Sequence, residues 1–259
     1  MIRTRVIPIL LLRNESLVKT RKFRDFDYVG DPANTVRIFN ELEVDELMFL
    51  DITASVEGRQ PNLKILKDIA SECFMPLGYG GGISSLDEAK QVFDIGFEKI
   101  SINTAVGRNP RLIEQLSNQY GNQAVVVSID VKKDILGNQM VWTSGGRKNL
   151  RHDPVSWAKE VEMMGAGEIL LTSIDREGTW SGFDVELVRR VADAVSIPVV
   201  AHGGAGKVEH LRDVVIDGNA TAVGLGSLVV YQKKGMGVLV NFPDTRDLDL
   251  FIGRSQNEF

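Results

Sequence analysis

The sequence predicts a single α/β domain folded as a closed (β/α)8 barrel built from two half-barrel repeats. Three observations carry this expectation. Short β-rich runs alternate with amphipathic segments along the whole chain. Residues 76–83 (Pro-Leu-Gly-Tyr-Gly-Gly-Gly-Ile) return at 198–205 as Pro-Val-Val-Ala-His-Gly-Gly-Ala, and residues 46–52 (Glu-Leu-Met-Phe-Leu-Asp-Ile) return at 168–174 as Glu-Ile-Leu-Leu-Thr-Ser-Ile, both at an offset of 122 residues. Ile102-Asn103-Thr104 is answered by Leu225-Gly226-Ser227, at 123. The length of 259 residues suits one such barrel, for which about 250 is typical. The halves fall at about 1–122 and 123–240 of the 1–259 span.

Taken in order, strands are expected at 5–11, 47–51, 76–79, 98–102, 124–130, 168–172, 198–201 and 221–226. Most read as continuous apolar runs, as strands covered on both faces do. Helical spacing marks Pro32–Leu42, Pro61–Cys73, Leu86–Ile95, Pro110–Gln119, Pro154–Met164, Asp184–Val195 and Val208–Ile216. Several open on proline, whose missing N–H costs nothing in a first turn. Residues 17–29, with Lys19, Arg21, Lys22 and Arg24, read as a long basic loop on the C-terminal rim, a lid or a solvated connection. Lys133–Trp142 reads as a hairpin turning at Gly137-Asn138. After Tyr231 the pattern fades, so the last helix is short, displaced or replaced.

Composition narrows the function. With 43% apolar and 25% charged residues the chain is an ordinary globular protein, and a net charge of −5 argues against a nucleic-acid surface. The apolar run at 6–12 contains Pro8 and lacks a cleavage site, so no signal peptide is expected, and no run reaches the roughly 18 residues of a membrane span. A lone Cys73 has no partner for a disulfide, and His152, His202 and His210 show no metal-ligand spacing. A cytoplasmic protein with no metal and no cofactor is the expectation.

The glycines carry the chemistry. A phosphate held without metal needs several N–H donors converging on its oxygens, and glycine lets the backbone approach closely enough. Gly80–Gly82 and Gly203–Gly206 follow the third and seventh strands, while Asn103-Thr104 and Gly226-Ser227 follow the fourth and eighth. The stretch Arg176-Glu177-Gly178-Thr179 after the sixth adds donors to the second set. Tight turns alone would also use glycine, but two sets in repeat register point to a phosphorylated small-molecule ligand. The candidate phosphate residues are Gly82, Asn103, Thr104, Gly178, Gly204, Gly226 and Ser227.

The strings Phe49-Leu50-Asp51-Ile52-Thr53-Ala54-Ser55, Gly80-Gly81-Gly82-Ile83, Ser101-Ile102-Asn103-Thr104-Ala105, Gly167–Arg176 and Gly203-Gly204-Ala205-Gly206-Lys207 closely resemble the cyclase (HisF-type) subunit of imidazole glycerol phosphate synthase, from the N-terminus to about Ser227. The resemblance implies a TIM barrel whose top face binds a bisphosphate ribonucleotide, and a glutaminase partner docked below that sends ammonia through the barrel. It implies a charged bottom gate of Arg5, Glu46, Lys99 and Glu168. Without the resemblance, these are charges at strand starts that cap the barrel bottom. It also implies that Lys19 lies on a mobile loop over the substrate, and that Asp130 is one of two facing catalytic aspartates, one acid and one base.

The second aspartate is missing. Its place falls on Leu11, in Ile9-Leu10-Leu11-Leu12-Arg13, an alignment supported by Arg13 answering Lys132 and Glu15 answering Asp134. Leucine carries no proton, and losing a positioned acid or base typically costs about 10²–10⁴-fold in rate. Asp51 and Glu15 are candidate substitutes, neither in the facing position. His202 stands where the family has a small hydroxyl residue, as a phosphate contact or a satisfied rim histidine. The expected catalytic set is therefore Asp130, Lys19 and Asp51. Similar paralogues accompany a glutaminase and a sugar amidotransferase in surface-polysaccharide pathways, which implies a supplier of ammonia for sugar amidation. The alternatives are a functional cyclase of histidine biosynthesis using a substitute acid, and a non-catalytic subunit that activates its glutaminase.

Overall fold

The computed structural model describes residues 4–252; the ends of the expected 1–259 span, residues 1–3 and 253–259, lie outside them. The chain runs β1 (Arg5–Arg13), β2 (Ser16–Arg21), β3 (Arg24–Gly30), α1 (Pro32–Glu41), β4 (Leu47–Asp51), α2 (Ala54–Glu57), α3 (Leu63–Glu72), β5 (Leu77–Gly80), α4 (Leu86–Ile95), β6 (Lys99–Ile102) and α5 (Arg111–Tyr120). It continues through β7 (Val125–Lys133), β8 (Gln139–Thr143), β9 (Lys148–Asn149), α6 (Pro154–Met163), β10 (Glu168–Ser173), α7 (Val185–Ala192), β11 (Val199–His202), α8 (Glu209–Ile216), β12 (Ala222–Leu225), α9 (Ser227–Val230) and α10 (Thr245–Ile252).

Eight parallel strands close on themselves in the order β1, β4, β5, β6, β7, β10, β11, β12 and back to β1. Side chains alternate along each strand, so every barrel strand supplies two cores. Val6, Leu10 and Leu12 of β1 point outward into the large cluster under the helices, with Phe49, Val127, Ile169, Leu171, Val199 and Val223 of other strands. Ile7, Ile9 and Leu11 point inward, where they share a second cluster with Met48, Val126, Leu170, Val200 and Ala222. The barrel interior is therefore largely apolar through its middle. Helices begin where the sequence places caps: Asp31, Asn62, Ser85, Asp153 and Asp184 each accept a backbone N–H from the first turn.

One expectation is corrected. Residues 17–29 are not a loop but most of an antiparallel ribbon, in which β2 pairs with an extension of β1 (Leu11 with Val18, Leu12 with Leu17) and β3 pairs with β2. The tip is Lys22-Phe23, both at positive φ (53° and 61°). Such a turn normally advertises itself through glycine or asparagine, and here it carries neither. The hairpin at Lys133–Trp142 forms as expected, with Asp134 N–H donating to Asn138 O at 2.8 Å. After the four-residue α9 the chain wanders to α10, in place of a regular eighth helix.

Candidate functional site

At the N-terminal ends of the barrel strands, four side chains form a closed ring of ion pairs. Arg5 Nη1 meets Glu46 Oε2 at 2.8 Å, and its Nη2 contacts Glu168 Oε1. Lys99 Nζ reaches Glu46 Oε1 at 2.8 Å and Glu168 Oε2 at 3.0 Å. Both carboxylates are buried, while Arg5 and Lys99 keep 33% and 21% of their side chains exposed. The sequence named these four residues, and the fold brings them together. Above the ring the apolar interior begins, and two serines sequence reasoning did not single out, Ser101 and Ser128, face each other with Oγ atoms 2.6 Å apart.

At the opposite mouth a cavity of about 240 Å³ is lined by Leu11, Asp130, Thr172, His202, Glu177 and the first glycine set, with Phe23 and Phe26 of the ribbon at its edge. Asp130 accepts from Asn103 Nδ2 at 3.2 Å and lies beside Thr172 in the β7–β10 register. Burial lifts its carboxyl to about 7, opposed by the Thr172 hydroxyl. His202 projects inward from β11, with Nδ1 3.2 Å from Thr172 Oγ1. Burial, with Lys19 nearby, lowers its pKa to about 3, so the imidazole is neutral.

Lys19 belongs to β2 and is 3% exposed, so it is not on a loop over the cavity but packed under the ribbon. Its ammonium lies against Gly226, where a side chain would collide with Nζ. Burial lowers its pKa, against the pull of Glu177. Glu177, not singled out from sequence as an ionisable group of the site, is 2% exposed and latches the ribbon: Phe23 N–H donates to Oε2 at 3.1 Å, and Lys22 N–H to the Glu177 carbonyl at 3.0 Å. Burial raises its carboxyl, while Lys19 works in the other direction.

The two glycine sets are not equivalent. Gly82, Asn103 and Thr104 share the cavity with Asp130. Gly82, at φ 73°, donates to Ser55 Oγ, and a methyl group there would sit 2.6 Å from the Arg59 carbonyl. Gly178, Gly204, Gly226 and Ser227 are not among the cavity's lining residues. Gly178 is crossed by the Thr20–Arg21 backbone, and Gly204 is packed on the Gly182 carbonyl. Asp51 lines the cavity, but Oδ1 accepts from Thr53 N, Thr53 Oγ1 and Ala54 N, while Oδ2 lies 3.5 Å from Arg59. Its geometry is that of a group capping α2. Among the described residues, no cluster of His, Cys, Asp or Glu could hold a metal, and no helix is long and apolar enough to cross a membrane.

Comparison with known proteins adds to this geometry. The family model for histidine biosynthesis proteins matches residues 5–235. A Pseudomonas aeruginosa protein provisionally named imidazole glycerol phosphate synthase subunit hisF2 is 46% identical over 250 residues, 96% of this chain and 100% of the relative. A Leptospira borgpetersenii protein provisionally named as the HisF subunit is 43% identical over 248 residues (95% and 98%). The imidazole glycerol phosphate synthase subunit HisF of Alkaliphilus metalliredigens is 43% identical over 233 residues (90% and 92%).

Proposed function

Since the chain belongs to the histidine biosynthesis family, among the HisF-type subunits of imidazole glycerol phosphate synthase, we propose that it receives ammonia from a glutaminase partner through its barrel and supplies it for amidation of a sugar. In this reading Arg5, Glu46, Lys99 and Glu168 are the lower gate. The apolar interior conducts a small neutral molecule. Gly82, Asn103 and Thr104 hold one phosphate of a ligand, and a second phosphate would reach Gly178, Gly204, Gly226 and Ser227, with Lys19, only with the Thr20–Arg21 backbone displaced from Gly178. A sugar amidotransferase is the further partner.

The observation that carries the proposal is Leu11. It is 5% exposed, points into the barrel and sits in the interior apolar cluster. A ring closure that needs one proton given and one taken lacks a second carboxylate there. Asp51 is engaged by four donors and Glu15 occupies an exposed turn, which weakens the case for either as a substitute acid.

The test is turnover of the isolated chain with the histidine-pathway ribonucleotide and ammonium chloride, beside complementation of a histidine auxotroph lacking its cyclase subunit. Negligible turnover and no growth are expected. Robust turnover or rescue would establish an ordinary cyclase instead.

A further inference from the structure

The middle of the top layer holds a three-residue chain that no part of the proposal above uses. His202 Nδ1 is 3.2 Å from Thr172 Oγ1, and Thr172 stands beside Asp130 in the register of β10 on β7. All three line one cavity together with Leu11. Its directionality follows from the donor and acceptor inventory. An ionised Asp130 can only accept, so the Thr172 hydroxyl gives its one proton to that carboxylate. The Thr172 oxygen then accepts from Nδ1–H. The other ring nitrogen, Nε2, is left with a free lone pair.

The ring lines the cavity, and that nitrogen lies on its Gly226 side, beside the Lys19 ammonium. A methyl group placed on Gly226 would sit 3.7 Å from it, and among the described residues no group bonds to it. The charged group nearest it is Lys19 on β2; Asp130 on β7 lies beyond Thr172 and Glu177 after β10 beside Lys19, and β12 offers Gly224 to the ring. The Lys19 ammonium beside the ring repels a second cation and leaves a neutral hydrogen donor welcome.

We propose that His202 is the ammonia-receiving group of this barrel, its Nε2 accepting a hydrogen bond from neutral ammonia at the top of the conduit. This rests on the reading of the barrel as an ammonia conduit. The step it permits is balanced. Ammonia nitrogen bonds to a carbonyl carbon of the ligand as the C=O π bond opens. The proton leaving nitrogen goes to Nε2, the Nδ1 proton passes through Thr172 to Asp130, and Asp130 hands its proton to the new alkoxide. A carbinolamine forms, with no proton gained or lost overall. The ligand class is thus a phosphorylated carbonyl compound.

The chain has three histidines, so the ring nitrogens of His202 are resolvable in the intact protein labelled with 15N-histidine. At pH 8.5 the expected signature is a neutral ring with the proton on Nδ1. Ammonium chloride should shift Nε2 in proportion to free ammonia, compared at pH 8.0 and 9.0, and sodium chloride should not. Thr172→Ser keeps the tautomer and Thr172→Val loses its preference. A proton on Nε2, an imidazolium at pH 8, or a shift that follows total ammonium or simple salt would overturn the proposal. These readings involve neither cyclase turnover nor auxotroph growth, so this inference and the sugar-amidation reading fail separately.

Discussion

Leu11 stands opposite Val18 in the antiparallel pairing of β1 with β2, and both lie in the interior cluster that includes Met48. The wall facing Asp130 is therefore apolar on both strands that build it. Leu11→Asp inserts a carboxylate into that wall. The expected cost is about 1–3 kcal/mol of stability, read as a lower urea midpoint. Cyclase turnover with ammonium chloride should rise by about 10²-fold or more, because the missing proton carrier is restored.

Asp130 and His202 set opposite slopes of stability against pH. The folded carboxyl of Asp130, near 7, lies above its unfolded value of about 3.9, so its contribution is complete below pH 4 and is lost as pH rises toward 7. The folded imidazole of His202, near 3, lies below its unfolded value of about 6.5, so its contribution is complete above that pH and is lost as pH falls toward 3. Between about pH 4 and 6.5 the two offset each other. Relative to the parent chain, Asp130→Asn should gain stability as pH rises through this window, and His202→Gln should lose it. Each slope has a limit of about 1.4 kcal/mol per pH unit. Urea midpoints from pH 4.5 to 6.5 check both signs.

Glu168→Gln removes one corner of the lower ring and leaves Arg5 and Lys99 sharing Glu46. Breaking a fully buried pair costs about 3–5 kcal/mol. Partial exposure of both cations reduces this to about 2–3 kcal/mol. Chemical denaturation measures it, and Glu46→Gln should cost a similar amount.

Gly82→Ala and Gly96→Ala separate backbone strain from crowding. Both glycines have positive φ (73° and 115°), but a methyl at Gly96 meets open space whereas one at Gly82 meets the Arg59 carbonyl at 2.6 Å. Gly96→Ala should therefore lose about 1–2 kcal/mol. Gly82→Ala should lose more, with a lower Tm and weaker binding of inorganic phosphate in calorimetry.

Most barrel strands were legible as apolar runs, several bounded by proline or glycine such as Pro76 and Gly203, and the helices by their helical spacing and first-turn prolines such as Pro32 and Pro154. The ribbon was hidden by the same logic. Its tip residues, Lys22 and Phe23, adopt positive φ without a turn signal, and β3 is mostly exposed, so no burial pattern betrays it. The lower ring was named through the resemblance to HisF-type subunits, since charges at strand starts alone point only to a capped barrel bottom. The part played by Thr172 could not, since a threonine inside an apolar strand gives no sign of linking a carboxylate on one neighbouring strand to an imidazole on the other. Glu177 was equally silent, because its partners are backbone N–H groups of a ribbon 154 residues earlier in the chain.

The square of Arg5, Glu46, Lys99 and Glu168 has a consequence for leakage. Each cation holds both anions, so the loss of one contact leaves every corner still tethered. Solvent ammonium meets a neutral, self-satisfied lattice with nothing to trade for its hydration shell. If the barrel conducts ammonia as proposed, traffic through the floor requires an outside surface that competes for two corners at once, which would tie flow to assembly.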